Sequence, residues 1–226
     1  MKDDRYREFQ EKLGCEFRGR DLLRQALTHS STGAAVNYER LEFLGDRVLG
    51  LVMAQILYET FPHEDEGDLA KRHAALVQGD MLAGIATGLG LGSAVEFSSA
   101  ERAAGGSKNE NILADALEAV IGALYLDAGL PACRKCIERL WGDNIRTMKE
   151  PPQDAKTALQ EWAQERGLKL PLYEQMSRQG PDHAPEFEIR VTVEGFQPVR
   201  ARGLSRRAAE KEAARLLLQN VKKEVS

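Results

Sequence analysis

The apolar residues of this chain change their spacing once, and that change divides it. From Tyr6 to about Thr147 they recur every three or four positions, as in Leu41, Leu44, Val48 and Leu51 and again in Leu113, Leu117, Val120, Ile121 and Leu124. That is the period of helices with one buried face. Gly and Pro fall mainly between these segments, at Phe61-Pro62 and Gly105-Gly106. Strand-like alternation is absent, so residues 1–148 are predicted to form a bundle-like all-α domain. Lys149-Glu150-Pro151-Pro152-Gln153 breaks the helical pattern and reads as a linker, 149–153.

Beyond the linker the period shifts. Asp154 can cap a helix running to about Arg166, ended by Gly167. Leu172 to Arg178 reads as a strand. Phe187, Ile189, Val191 and Val193 alternate with Glu188, Arg190, Thr192 and Glu194, a period of two. Glu194-Gly195 makes a turn, after which Phe196 to Arg202 is expected to return antiparallel. Ser205 can cap a last helix ending near Val221. Residues 154–223 are thus expected to form an α+β domain of order α-β-β-β-α.

No apolar run approaches the roughly 20 residues of a membrane span. Met1-Lys2-Asp3-Asp4-Arg5 has no apolar stretch behind it, unlike a signal peptide, and the expected location is the cytoplasm. Three cysteines, Cys15, Cys133 and Cys136, are an odd count for a disulfide framework, and Cys133-x-x-Cys136 lacks a second pair of zinc ligands. Reduced thiols on a helix are expected. Gly88-Leu89-Gly90-Leu91-Gly92 is neither preceded by a strand nor followed by Lys-Ser/Thr, so a helix-ending turn is expected there, not a nucleotide loop.

Charge is uneven. The net charge is −4, yet from Pro151 onward 13 Lys and Arg face 11 Asp and Glu, so the acidic excess lies in the first domain. Between Pro198 and Lys223 stand Arg200, Arg202, Arg206, Arg207, Lys211, Arg215, Lys222 and Lys223 against only Glu210 and Glu212. Such a cluster suits either a phosphate-binding patch or a solvated helix face.

Two helical segments carry acids at odds with helix stability. Glu39, Glu42 and Asp46, at relative positions 0, 3 and 7, share one face, where like charges repel by a few tenths of a kcal/mol per pair. Ile112 to Leu126 is almost wholly apolar yet carries Asp115 and Glu118 one turn apart, with no Lys or Arg in the segment. A helix apolar all round is normally buried, and buried carboxylates need a partner or a metal. Spacing leaves two solutions open. Arg40, Arg47, Lys71 or Arg72 pairs with the acids, or both helices share a cation that prefers oxygen ligands, Mg²⁺ or Mn²⁺.

The stretch Tyr38-Glu39-Arg40-Leu41-Glu42-Phe43-Leu44-Gly45-Asp46-Arg47-Val48-Leu49 resembles the signature of the ribonuclease III family, as found in bacteria. Asn111 to Ala123 resembles its second acidic motif, and Ala26-Leu27-Thr28-His29-Ser30-Ser31 and Asp65-Glu66-Gly67-Asp68-Leu69 fit as well. The resemblance implies that 1–148 is a catalytic domain. Glu42, Asp46, Asp115 and Glu118 match the four carboxylates that hold Mg²⁺, with Asp46 and Glu118 the catalytic pair. Glu39 and Glu66 match acids near the RNA strand and the cleft. It implies an endoribonuclease for double-stranded RNA in which one metal positions and deprotonates water and a second stabilises the leaving 3′ oxygen. The products would carry 5′-phosphate and 3′-hydroxyl ends, and the enzyme would process ribosomal RNA precursors and structured messages. It further implies a homodimer through the helical domain, with Phe43 and Leu44 as interface candidates. His29 is expected to be structural. Tyr38 stands where Asn is frequent, Arg47 where a small residue is common and Asn111 where Ser is common.

Residues 154–223 resemble a double-stranded RNA-binding domain. Ser205-Arg206-Arg207-Ala208-Ala209-Glu210-Lys211-Glu212-Ala213-Ala214 is similar to its final basic motif, and Gly180-Pro181-Asp182-His183 to its minor-groove loop. The resemblance implies that Thr157, Gln160 and Glu161 meet 2′-hydroxyls, that His183 enters the groove and that Ser205, Arg206 and Arg207 form a phosphate contact. Such domains read duplex shape, not base sequence. The competing reading is a regulator that binds duplex RNA without cutting it.

Overall fold

The computed structural model describes residues 2–152, 154–181 and 185–224, and the chain separates into two units, Met1–Pro152 and Gln153–Ser226. The helices of the first are α1 (Lys2–Leu13), α2 (Arg20–Ala26), α3 (Glu39–Thr60), α4 (Glu66–Val77), α5 (Gly79–Gly88), α6 (Leu91–Ala94), α7 (Ser99–Ala103), α8 (Glu110–Ala128) and α9 (Leu130–Thr147). Short 3-10 turns lie at Ser30–Thr32 and Gly106–Lys108. α5 ends at Gly88 and Gly90 takes a left-handed φ of 70°, the expected helix-ending turn.

α8 is the axis of this unit. Asn109 starts it, its Oδ1 accepting the N–H groups of Asn111 and Ile112, which satisfies two donors the helix leaves open. Leu113, Ala114, Ala116, Leu117 and every residue from Ala119 to Leu124 are buried, which accounts for a helix apolar on all faces. α3 lies against it through Leu41, Val48, Leu49, Val52 and Met53. The two backbones touch at glycines: a Cβ on Gly45 would strike the carbonyl oxygen of Glu118, and one on Gly122 would strike that of Leu41. Glycine is required here because nothing larger fits between the helices.

Arg72 on α4 is 1% exposed. Its Nε and Nη2 donate to the Glu64 carboxylate at 2.7 and 2.6 Å, and its other N–H groups reach the carbonyls of Met148 at 2.5 Å and Lys149 at 3.3 Å. Phe61 lies flat beneath it at 3.8 Å. Arg72 thereby ties down the chain after α9. Cys133 and Cys136 are buried on α9 and all three cysteines are free thiols. Cys15 shares a hydrogen bond with Cys136 that draws its pKa down to about 7.

The second unit comprises α10 (Ala155–Glu165), β1 (Leu172–Gln179), β2 (Glu186–Thr192), β3 (Val199–Gly203) and α11 (Arg206–Glu224). The strands form one antiparallel sheet in the order β1-β2-β3, with a bulge in β1 between Gln175 and Ser177. Leu159 and Trp162 of α10, Val191 of β2 and Ala213, Ala214, Leu217 and Val221 of α11 close its core. β3 begins at Val199, three residues later than expected. The Phe196 N–H bonds the carbonyl of Val193 in a tight turn, the Phe196 ring packs edge-on against Trp162 at 5.1 Å, and Pro198 has no N–H to give to a ladder. Among the described residues no helix is long and apolar enough to cross a membrane.

Candidate functional site

The glycine contact between α3 and α8 decides where their acids meet. Glu42 lies three residues before Gly45 on α3, and Asp115 and Glu118 lie on the same stretch of α8 whose backbone Gly45 touches. One carboxylate oxygen from each of Glu42, Asp115 and Glu118 falls within 4.8 Å of the others, all three residues half-buried. Among the described residues this is the one group of acids, histidines or cysteines spaced to hold an ion.

Electrostatics mark the cluster as unsatisfied on its own. Burial, then Asp115 and Glu42, push the pKa of Glu118 up to about 7. Burial, followed by Asp115 and Glu39, raises that of Glu42. Asp115 is raised by burial against a weaker opposing pull from His29. Beside them Tyr38 is pushed up to about 12 by burial and by Asp115, Glu42 and Glu39. Ions confined this closely need a counter-charge. The donor set is all oxygen, which matches a hard divalent cation such as Mg²⁺ or Mn²⁺ and not Zn²⁺ or copper.

Asp46, the fourth expected ligand, is not in this group. It pairs with its neighbour Arg47, whose guanidinium lies 5.3 Å from the centre of the Phe43 ring and also lowers the pKa of Glu118. Pairing with a cation, one of the two solutions open to the sequence, therefore holds for Asp46 but not for the other three. Lys71 and Arg72 are engaged with Asp68 and Glu64. Glu39 is exposed at the start of α3, with Asn37 donating to its carboxylate at 3.2 Å. Glu66 is exposed on the first turn of α4. His29 is buried, its Nδ1 accepting the Ser31 N–H at 3.1 Å and its ring stacked on Tyr38 at 5.4 Å, a structural position. Phe43 is 68% exposed and lines a 660 Å³ depression with Leu44 and Leu126, so it is not a core residue.

In the second unit the Asp154 carboxylate accepts the N–H groups of Lys156 and Thr157 and so starts α10. Ser205 does the same for α11 through the Ala208 N–H, at 3.1 Å. Thr157, Gln160, Arg206 and Arg207 line one depression of 780 Å³, and Glu161 is exposed next to Gln160 on α10. His183 and Asp182 lie outside the described residues.

Sequence reasoning missed Glu210. Its carboxylate takes Arg206 Nε at 3.0 Å and Lys156 Nζ at 2.5 Å. Burial acts to raise its pKa, but these hydrogen bonds outweigh it and hold the carboxyl below its ordinary range. Arg206, expected to contact phosphate, is thus held by Glu210 in the protein alone. The Arg206–Glu210 spacing of four was a legible signal; Lys156, 54 residues away, left none.

Two family models match the chain, one in each unit. Residues 19–143 match the family described as Ribonuclease-III-like, and residues 155–221 match the double-stranded RNA binding motif. Ribonuclease 3 of Anaplasma marginale is 46% identical over 214 residues, covering 93% of this chain and 92% of that one. Ribonuclease 3 of Cereibacter sphaeroides is 47% identical over 214 residues, covering 94% and 93%. A crystal structure of the nuclease domain of ribonuclease III from Campylobacter jejuni aligns with a TM-score of 0.59 at 44% identity, covering 61% of this chain and 94% of that one. A second structure of that domain, described as showing flexibility in a region involved in dimer formation, aligns equally well.

Proposed function

The chain belongs to the ribonuclease III family, and from that premise we propose that this endoribonuclease hydrolyses phosphodiester bonds of double-stranded RNA at the Glu42–Asp115–Glu118 cluster, leaving 5′-phosphate and 3′-hydroxyl ends. The observation that carries the proposal is the convergence of three half-buried carboxylates from two helices to within 4.8 Å of one another. Residues 1–148 are assigned the chemistry, 149–153 the connection and 154–223 the hold on the duplex.

Glu42, Asp115 and Glu118 would hold Mg²⁺, and Asp46 would join them on release from Arg47. A divalent ion bound there would supply Lewis acidity that activates water and offsets charge building on the phosphodiester. The chain's own part is to hold the carboxylates fixed and close together. The Gly45–Gly122 contact sets the separation of their helices, and the Tyr38 ring lies buried beside them. Glu39 and Glu66 lie exposed, suited to the RNA strand and cleft. No side chain is needed as a nucleophile. In the second unit, Thr157, Gln160 and Glu161 present short polar groups suited to 2′-hydroxyls, and cations at the start of α11 suit phosphates.

The exposed Phe43 and Leu126, with the half-buried Leu44 beside them, support a homodimer through the helical unit. The substrates are ribosomal RNA precursors, messages and other structured transcripts, met in the cytoplasm. Incubating the purified chain with long duplex RNA and Mg²⁺ tests the reading. Fragments are expected, whereas an intact, shifted RNA band would mean a binder that does not cut.

A further inference from the structure

The second turn of α11 sets a carboxylate among cations. The Glu210 side chain is 12% exposed and lines the same depression as Lys156, Gln160, Arg207 and Lys211. It bridges two helices: Lys156 reaches it from α10 and Arg206 from one turn earlier on α11. Lys156 also lies 4.7 Å from the centre of the Tyr173 ring on β1. The Tyr173 hydroxyl is buried in the same corner, where burial and then the nearby Glu210 charge raise its pKa. Among the described residues, no carboxylate pairs with Arg207 or Lys211.

A surface that only had to attract phosphate would avoid an acid here, because a carboxylate repels the backbone it is meant to bind. We infer that Glu210 is a positioning residue for duplex RNA, fixing α10 to α11 through Lys156 and aiming Arg206, so that Arg207 and Lys211 are the cations that meet phosphate. The inference rests on the RNA-facing role proposed above for this unit. Its physical basis is preorganisation. Lys and Arg each lose considerable rotamer freedom when held, and a side chain already held in the free protein does not pay that loss on binding.

Electrostatic attraction alone and positioning predict opposite results. The affinity of the full chain for a duplex longer than roughly 16 base pairs is measured in EDTA, so that RNA stays intact, for wild type, Glu210→Gln, Glu210→Lys and the exchange Lys156→Glu with Glu210→Lys. Attraction alone makes Glu210→Gln tighter than wild type and Glu210→Lys tighter still. Positioning makes both weaker, Glu210→Gln by roughly three- to tenfold, the scale of one ordinary net hydrogen bond. It also makes the exchange bind better than Glu210→Lys alone, although the exchange carries less positive charge. Affinity equal to or above wild type in both single variants overturns the inference. Arg206→Ala and Arg207→Ala leave the Lys156–Glu210 pair in place and remain informative even where a Glu210 variant unfolds. Arg207→Ala should lower the slope of log affinity on log salt by about one, near the value of about 0.9 for one phosphate contact on B-DNA, and Arg206→Ala by much less. Equal slopes in the two would contradict it. Wild type failing to bind duplex RNA at all would instead remove the RNA-facing role itself, and this inference with it.

Discussion

Gly45 of α3 and Gly122 of α8 face each other so closely that a Cβ on either would meet the backbone of the other helix. This contact brings Glu42 to Asp115 and Glu118. Shape and charge are therefore coupled: the helices approach because their contact residues lack side chains, and the approach is what crowds the acids.

Gly122→Ala should force the helices apart, since its new methyl meets the Leu41 carbonyl, part of a helix that cannot rotate away. Overpacking of this kind costs about 1–3 kcal/mol. Denaturant midpoints should fall accordingly and Mg²⁺ affinity should fall with them. Wild-type stability and metal affinity together would show that the contact does not set the site.

The titration of Glu118 gives a signed prediction. Its pKa in the folded chain is raised from 4.5 to about 7, so the folded state holds this proton more tightly than the unfolded one. Stability of the metal-free protein should therefore fall as pH rises from about 4.5 to about 7 through this group. Glu118→Gln escapes that fall. In EDTA the variant should melt above wild type beyond pH 7, with the difference closing toward pH 4.5. A difference that does not change with pH would contradict the assignment.

Arg72 supplies a third test. It is buried and spends donors on Glu64 and on the carbonyls of Met148 and Lys149. Removing one side of a buried pair costs about 3–5 kcal/mol, so Arg72→Met should lower the unfolding midpoint sharply. A chain ending at Glu150 should keep its fold and cut duplex RNA at low salt, whereas one ending at Thr147 loses both carbonyls and should melt lower. Equal melting of the two truncations would remove this role.

Homodimer formation is tested at Phe43. An exposed aromatic beside Leu44 and Leu126 should lie in the interface, so Phe43→Asp should halve the mass seen by light scattering while leaving helix content unchanged. A dimer that persists places the interface elsewhere.

Much of this was legible in the sequence, for local reasons. The helical period located α3 and α8, and the lack of any cation in an apolar helix marked Asp115 and Glu118 as needing a partner. The alternation from Phe187 to Val193 predicted β2 to within a residue. What was not legible was long-range. Nothing near Gly45 or Gly122 says that each faces the other's helix, and Asp46 turning to Arg47 depends on side-chain conformation. Lys156 meets Glu210 only because the sheet brings α10 and α11 together. The late start of β3 reflects the packing of Phe196 on Trp162, a tertiary preference overriding a local strand pattern.

Whether the acid cluster holds the ion that cuts RNA is tested most directly at Glu118. Glu118→Gln keeps the side chain's shape and removes its charge, so the decisive measurement pairs cleavage of long duplex RNA in Mg²⁺ with duplex affinity in Ca²⁺, whose looser coordination positions water poorly. Glu118→Gln should lose cleavage by orders of magnitude while binding the duplex in Ca²⁺ about as well as wild type. Cleavage at the wild-type rate in Mg²⁺ would contradict the account.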